Sequence, residues 1–334
     1  MKKLVFNFIL LFSLGSIFVG CNQNTKNIEG TLPSSTGSTG EILVVMDTSL
    51  YNNGETGRLV KEKLGKIYQI LPQAEPIFDL INIPHFSFKK MFMRYRNVLY
   101  VDIDSKYTET KYKVYKDRYA SPQTYIQAQA PNKKMMRTLL SKEGDAILDK
   151  FIEAERNNYL STYKKMENKG VTKRLKDKFG ISMVIPKGYS IDKDTTNFTW
   201  IAQEARHYSQ NILVYEYPYE KTRTFLLGSI KERRNKLTQR YVPGPSPQSY
   251  MVIEDIVDPL YDQFELNGLK ITEIRGLWKV ENDFMGGPFI NYSFYNPITE
   301  KAVSVDVFVY APKYDKRKYL RQLEVMLHTI KAEK

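Results

Sequence analysis

The sequence predicts an α+β protein built from two packed α/β-sandwich-like halves with mainly antiparallel sheets. Three observations carry that reading. Short apolar runs bounded by Gly, Pro and Asn recur from Glu41 to Tyr310 and read as strands. Apolar residues at helical spacing separate them. With 42% hydrophobic and 26% charged residues in 334, the chain is globular and long enough for one large or two ordinary domains.

Residues 1–21 come first. Met1-Lys2-Lys3 precedes an apolar run from Leu4 to Phe18 and then Val19-Gly20-Cys21. The run contains Asn7, Ser13 and Ser16 and falls short of the roughly twenty apolar residues that span a bilayer, so it reads as the h-region of a lipoprotein signal. Cys21 would be lipidated and become the mature N-terminus, although Phe18 stands where such signals usually carry Leu. Cys21 is also the only cysteine, which leaves no disulfide within the chain, no thiolate nucleophile and no Cys-ligated metal. The expected location is the cell envelope, lipid-anchored in the outer membrane and facing the periplasm, because Asn22 follows the cysteine without an acidic cluster.

Residues 22–40 are polar and glycine-rich, the composition of a flexible tether. In the N-terminal α+β half, 41–131, Ile42-Leu-Val-Val45 is a strand buried on both faces, and Val60, Leu64, Ile67 and Leu71 mark a helix that Pro72 ends. Ile77–Ile83, Asn97–Ile103 and Thr124–Ala128 read as further strands.

Residues 132–178 predict a long basic helical connector capped by Asn132, with Gly144 as a point of division. It holds thirteen Lys and Arg against seven Asp and Glu, more than half of the +11 left when Lys2 and Lys3 are removed from a net +13. Behind a signal sequence the polyanions such charge can meet are lipid headgroups, envelope polysaccharide and acidic proteins; nucleic acid is not expected.

In the C-terminal half, 179–334, Ile181–Ile185 and Phe198–Ala202 read as paired strands and Asn211–Tyr215 as a buried one. Leu226, Ile230, Leu237 and Tyr241 mark a helix. Val303, Val305, Val307 and Val309 alternate with Ser304, Asp306, Phe308 and Tyr310, the pattern of a half-buried strand, and a last helix from about Lys313 buries Leu320, Leu323, Leu327 and Ile330. Strand, helix, strands and an Ala-Pro corner (Ala130-Pro131, Ala311-Pro312) followed by a helix occur in both halves. That repeated order raises an internal duplication, testable by whether the two corners occupy equivalent places.

No catalytic motif is present. His85, His207 and His328 lack metal-ligand spacing, no Gly-x-Ser-x-Gly elbow occurs, and no cofactor or metal is expected. Arg233-Arg234, Tyr241-Val242-Pro243-Gly244-Pro245 and Ser249-Tyr250 form the densest unusual stretch. It would serve as a plain helix stop, or as a rigid turn presenting arginine for an anion and tyrosine for flat contact. Trp278 beside Gly286-Gly287-Pro288 is a second candidate, as core or as platform.

These residues, with Ser35-Thr36-Gly37 before Ile42-Leu-Val-Val, Met285-Gly-Gly-Pro-Phe289 and Tyr310-Ala-Pro312, resemble an uncharacterised lipoprotein family of Bacteroidota known as domain of unknown function 4837. The resemblance implies a Gram-negative envelope and brings no catalytic residues. Ile181-Ser-Met-Val-Ile-Pro-Lys-Gly is also similar to small α+β domains of the PsbP/Mog1 type. The expected function is a non-catalytic envelope module that binds an anionic glycan or a protein partner through Arg233, Arg234, Tyr241 and Tyr250; the alternative is an envelope glycan or peptide hydrolase using a carboxylate pair.

Overall fold

Strand β1 (Glu41–Val45) lacks any polar break and so takes the centre of a sheet, where both of its faces are covered. The side chain of Asp47 accepts the Leu50 amide at 2.9 Å and starts α1 (Thr48–Asn53), which leads into α2 (Glu55–Leu64). Then come β2 (Asp79–Ile83), β3 (Asn97–Ile103), β4 (Lys111–Lys116) and β5 (Thr124–Ala130). The sheet order is β2-β1-β3-β5-β4, parallel except for the β4–β5 pair. Ile42, Val44, Leu99, Val101 and Ile126 face α2 and α3 (Lys133–Lys165); Leu43, Val45, Val98 and Tyr125 face an aromatic layer that includes Phe88, Phe92, Tyr95 and Tyr119.

The structure is a computed structural model that describes residues 31–333, and Pro33–Lys334 form one compact unit. Cys21 and the signal segment lie outside the described residues. The tether is shorter than its composition predicts, because Ser35 donates to the Ser121 carbonyl at 3.2 Å and Thr36 exchanges backbone bonds with Arg94 and Arg96 at 2.8 Å.

After α4 (Lys169–Phe179) come β6 (Ile181–Ser182), β7 (Ser190–Thr195), β8 (Phe198–Glu204), β9 (Ser209–Tyr217), α5 (Leu227–Tyr241), β10 (Tyr250–Ile253), β11 (Leu260–Leu266), β12 (Leu269–Glu281), β13 (Gly286–Asn296), β14 (Lys301–Tyr310), α6 (Arg317–Leu327) and β15 (Lys331–Ala332). The large sheet runs β10-β12-β13-β14-β9-β8-β7, with β11 also on β12, and every pair is antiparallel. The chain is therefore α+β in two parts with mainly antiparallel strands. The first sheet is the exception, and it removes the duplication: β5, before Ala130-Pro131, lies parallel to β3, whereas β14, before Ala311-Pro312, lies antiparallel to both neighbours.

Four local expectations change. Helix α3 passes unbroken through Gly144, where a Cβ would come within 2.6 Å of the Lys63 side chain; the glycine admits α2. The basic connector is part of both cores, since Met136 to Phe151 cover the first sheet while Tyr159 and Tyr163 reach the second. Ile181-Ser182 pairs with β15, and it is β7 that pairs with β8. Strand β14 is buried on both faces, with its valines under α6 and Ser304, Asp306 and Phe308 on the α5 side.

The halves are joined by polar contacts. Glu75 accepts the backbone amides of Lys316 and Arg317, Arg317 pairs with Asp79 at 2.6 Å, and the Tyr68 hydroxyl donates to Glu324 at 2.7 Å.

Candidate functional site

The arginines and tyrosines singled out in the sequence do not share a surface. Arg234 is 1% exposed and lies between α5 and the sheet, where its Nε and Nη2 donate to Asp306 at 2.7 and 3.2 Å and its guanidinium covers the Phe289 ring. Asp306 also accepts from Asn291 at 3.1 Å, and bonds continue through Ser293 and Ser304 to Tyr217. Arg233 is half-buried over the Tyr217 ring, 3.8 Å from its centroid. Tyr241 stacks on Phe198 at 4.5 Å, and Tyr250 sits in β10 opposite Glu281.

Ser249 is buried and closes its own turn through Ser246 at 2.6 Å. Gly244 does not use positive φ; a Cβ there would meet Ser249 Oγ at 2.3 Å and Val280 at 2.5 Å, so close approach explains the residue. Trp278 is 2% exposed and packs edge-on to Phe308. The segment is a helix stop above a core. His328 is half-buried at the end of α6.

A better-formed site lies between the halves. A 560 Å³ cleft is lined by Thr39 and Arg96 from the first half, by Asn158, Tyr159, Thr162 and Tyr163 of α3, and by Lys187, Tyr189, Gln203, Tyr208, Gln210 and Gln322 from the second. Clefts at such junctions are favoured ligand sites because two surfaces converge there. Tyr159 and Tyr163 are four residues apart on α3, which places both rings on one side of the helix. Tyr159 donates to Thr39 at 3.0 Å, and Tyr208 stacks on Tyr319 at 4.1 Å. Gln210 is held by the Tyr319 carbonyl at 2.9 Å and by Gln322 at 3.1 Å.

Two residues of the lining carry a buried polar atom without a protein partner, the Tyr189 hydroxyl and Arg96 Nε. Burial, and then the neighbouring Tyr163 and Tyr208, push the Tyr189 phenol well above its ordinary range, so it stays a proton donor. Glu155 at the cleft is fully engaged: Gly40 N–H and Asn97 Nδ2 donate to it at 2.9 Å each, and Arg321 stands 3.6 Å away. The arrangement offers phenol, amide and guanidinium donors beside flat ring faces, which suits a ligand rich in hydroxyl or carboxylate acceptors. Among the described residues no group of three His, Asp, Glu or Cys gathers to hold a metal.

The C-terminal half, residues 167–329, matches the family described as "Domain of unknown function (DUF4837)". That match covers just under half of the chain. The N-terminal half matches a second family, "Domain of unknown function (DUF8532)", over residues 35–164. Of the motifs that carry the resemblance, those from Arg233 to Pro312 fall in the DUF4837 match and Ser35 to Val45 fall in the other, and the boundary lies where α3 gives way to α4. No curated protein matches the chain. Among solved structures, the Saccharomyces cerevisiae Ran-binding protein Mog1p shares 11% identity over 46% of this chain and 90% of its own, with a TM-score of 0.32; a Mog1 point mutant gives 0.31 with the same identity and coverage. Those scores are too low to carry an inference. The cleft takes residues from both matched segments: the segment that matches DUF4837 supplies Tyr189, Gln203, Tyr208 and Gln210 but not Arg96 or Tyr159.

Sequence reading missed the cleft because its lining comes from separate segments brought together by the fold. The one local signal was the Tyr159–Tyr163 spacing on a predicted helix.

Proposed function

We propose that this chain is a lipid-anchored envelope protein, held by Cys21 at the periplasmic side of the outer membrane, and that it binds an anionic glycan in the cleft between its halves without catalysing a reaction. The observation that carries the reading is the Tyr189 hydroxyl, a buried proton donor without a protein partner in a cleft rich in amides and aromatic rings. Sugar hydroxyls pair with planar amides, sugar C–H faces lie against tyrosine rings, and Arg96 and Lys187 supply charge for an acidic substituent.

The hydrolase alternative has weaker support. The carboxylate at the cleft, Glu155, is taken up by Gly40, Asn97 and Arg321, and the neighbouring pair Glu273 and Glu324, outside the cleft lining, both bind Arg275. Glu324 is held down to about 2, which deprives it of the protonated form a general acid needs.

The test is Tyr189→Phe. Purified full-length protein is titrated with acidic and neutral bacterial envelope oligosaccharides. The wild type should prefer the acidic ones, and the variant should bind about tenfold more weakly, the value of one hydrogen bond, with an unchanged or higher unfolding midpoint. No binding across the panel, or equal affinity for the variant, overturns the proposal.

A further inference from the structure

A second groove, of 600 Å³, lies on the other side of the last turns of α3 from the cleft. Its lining carries five lysines, Lys164, Lys169, Lys173, Lys176 and Lys331, against Glu167 and Glu333. Lys176 pairs with Glu333 at 2.6 Å and Lys173 with Asp177 at 2.5 Å. Lys164, Lys169 and Lys331 have no carboxylate partner among the described residues.

The backbone adds to this field. Helix α4 opens into the groove with Lys169 as its first residue and no acidic side chain in its first turn, so the positive end of the helix dipole is left uncompensated beside the lysines. Asn168 satisfies only the Val171 amide, at 3.3 Å. His328 contributes no charge at neutral pH, since burial and then Arg156 hold it down to about 4.

The rest of the lining sets an apolar wall of Leu160, Met183 and Val184 beside the polar Thr172, Ser182, Asn267 and Thr329. A free phosphate ion would leave most of the volume unfilled and gain nothing from that apolar wall. A glycerophospholipid headgroup uses both parts, with its phosphate among the lysine ammonium groups and its glycerol and first methylenes against Leu160 and Met183.

We propose that this groove, between the end of α3, the start of α4 and β15, binds the headgroup of an anionic phospholipid through Lys164, Lys169 and Lys331. The site is independent of the glycan cleft. It would hold the domain against an anionic bilayer surface in a fixed orientation.

The probes are dihexanoyl phosphatidylglycerol, dihexanoyl phosphatidylcholine and inorganic phosphate, each below micellar concentration, titrated against the full chain in a non-ionic detergent. The anionic lipid should bind at least about tenfold more tightly than the zwitterionic one at low ionic strength, and that preference should shrink in high salt. Lys164→Gln combined with Lys169→Gln and Lys331→Gln should abolish it without moving the unfolding midpoint. A second variant, Leu160→Ser, removes apolar surface without adding charge and should weaken phosphatidylglycerol while leaving inorganic phosphate unaffected. Equal binding of the two lipids, inorganic phosphate competing as well as phosphatidylglycerol, or a triple variant that keeps the preference would each overturn the assignment.

Discussion

The carboxylate of Glu75 accepts the backbone amide of Lys316 at 2.7 Å, and its second oxygen accepts that of Arg317 at 2.8 Å, so a residue of the N-terminal half caps a helix of the C-terminal half. Helix α6 has no side-chain cap of its own. Its first free amides lie in a buried junction, and Glu75 satisfies them while opposing the helix dipole. Glu75→Ala leaves both donors unpaired without access to water and should cost about 2–4 kcal/mol. Glu75→Gln keeps one acceptor and should cost about half as much. Urea unfolding measures both; equal stability of the alanine variant and the wild type would show that water reaches these amides.

Arg234 and Asp306 form the most deeply buried ion pair among the described residues, at 1% and 0% side-chain exposure. Removing one partner strands a charge, so Asp306→Ala should destabilise by about 3–5 kcal/mol. Replacing both, as Arg234→Met with Asp306→Val, removes the desolvation cost along with the attraction and should be less damaging than the single change. Asn291 would lose its partner in either case, which keeps the double variant below wild type. A double variant worse than Asp306→Ala would show that the pair contributes more than its own neutralisation.

That pair also marks how far the sequence could be read. Continuous apolar runs located β1 and β9, and helical spacing located α5 and α6, because burial on both faces or along one stripe leaves a local imprint. The alternation in β14 left the same imprint whether Ser304 and Asp306 met water or a buried arginine, and the deciding partner lies 72 residues away on another element. Arg233 and Arg234 are adjacent in sequence, yet the rotation of about 100° between neighbours on a helix makes the first half-buried and the second core. Parallel pairing in the first sheet left no mark either, since β1 and the middle of β3 are apolar runs like any interior antiparallel strand, and Gln127 and Gln129 give β5 the alternation of an antiparallel one.

Acid should destabilise the fold in two steps. Burial by itself would raise Glu324, but the Arg275 guanidinium and the Tyr68 hydroxyl outweigh it and hold the carboxyl at about 2 against an ordinary 4.5. A carboxyl lowered in the folded state adds stability that is complete above its unfolded value and is lost as pH falls from about 4.5 toward 2. His328 is lowered to about 4 from 6.5, by burial first and Arg156 second, so the folded state keeps a neutral imidazole. Its contribution is complete above about 6.5 and fades as pH falls toward 4. At about 1.36 kcal/mol per unit, each step is on the order of 3 kcal/mol. His328→Gln should flatten the upper step and leave the lower one; a wild-type stability unchanged between pH 7 and 4.5 would contradict the account.

Two glycines should respond in opposite directions to the same substitution. Gly287 in β13 lies against a backbone: a Cβ there would sit 2.1 Å from the Val309 carbonyl oxygen and 3.0 Å from Trp278 Nε1. A carbonyl in the middle of a sheet has no rotamer to adopt, so Gly287→Ala must displace the strand or the indole and should cost about 1–3 kcal/mol. Gly228, the second residue of α5, has nothing within 4 Å of its Cβ position and no positive φ. Gly228→Ala therefore adds no clash and removes backbone freedom from the unfolded chain, for a gain of up to about 1 kcal/mol. Denaturant midpoints of the two variants, measured beside the wild type, should fall on either side of it. Gly287→Ala at wild-type stability would mean that β13 and β14 can separate locally at little cost, and the Trp278 layer beneath them would then be softer than its burial implies.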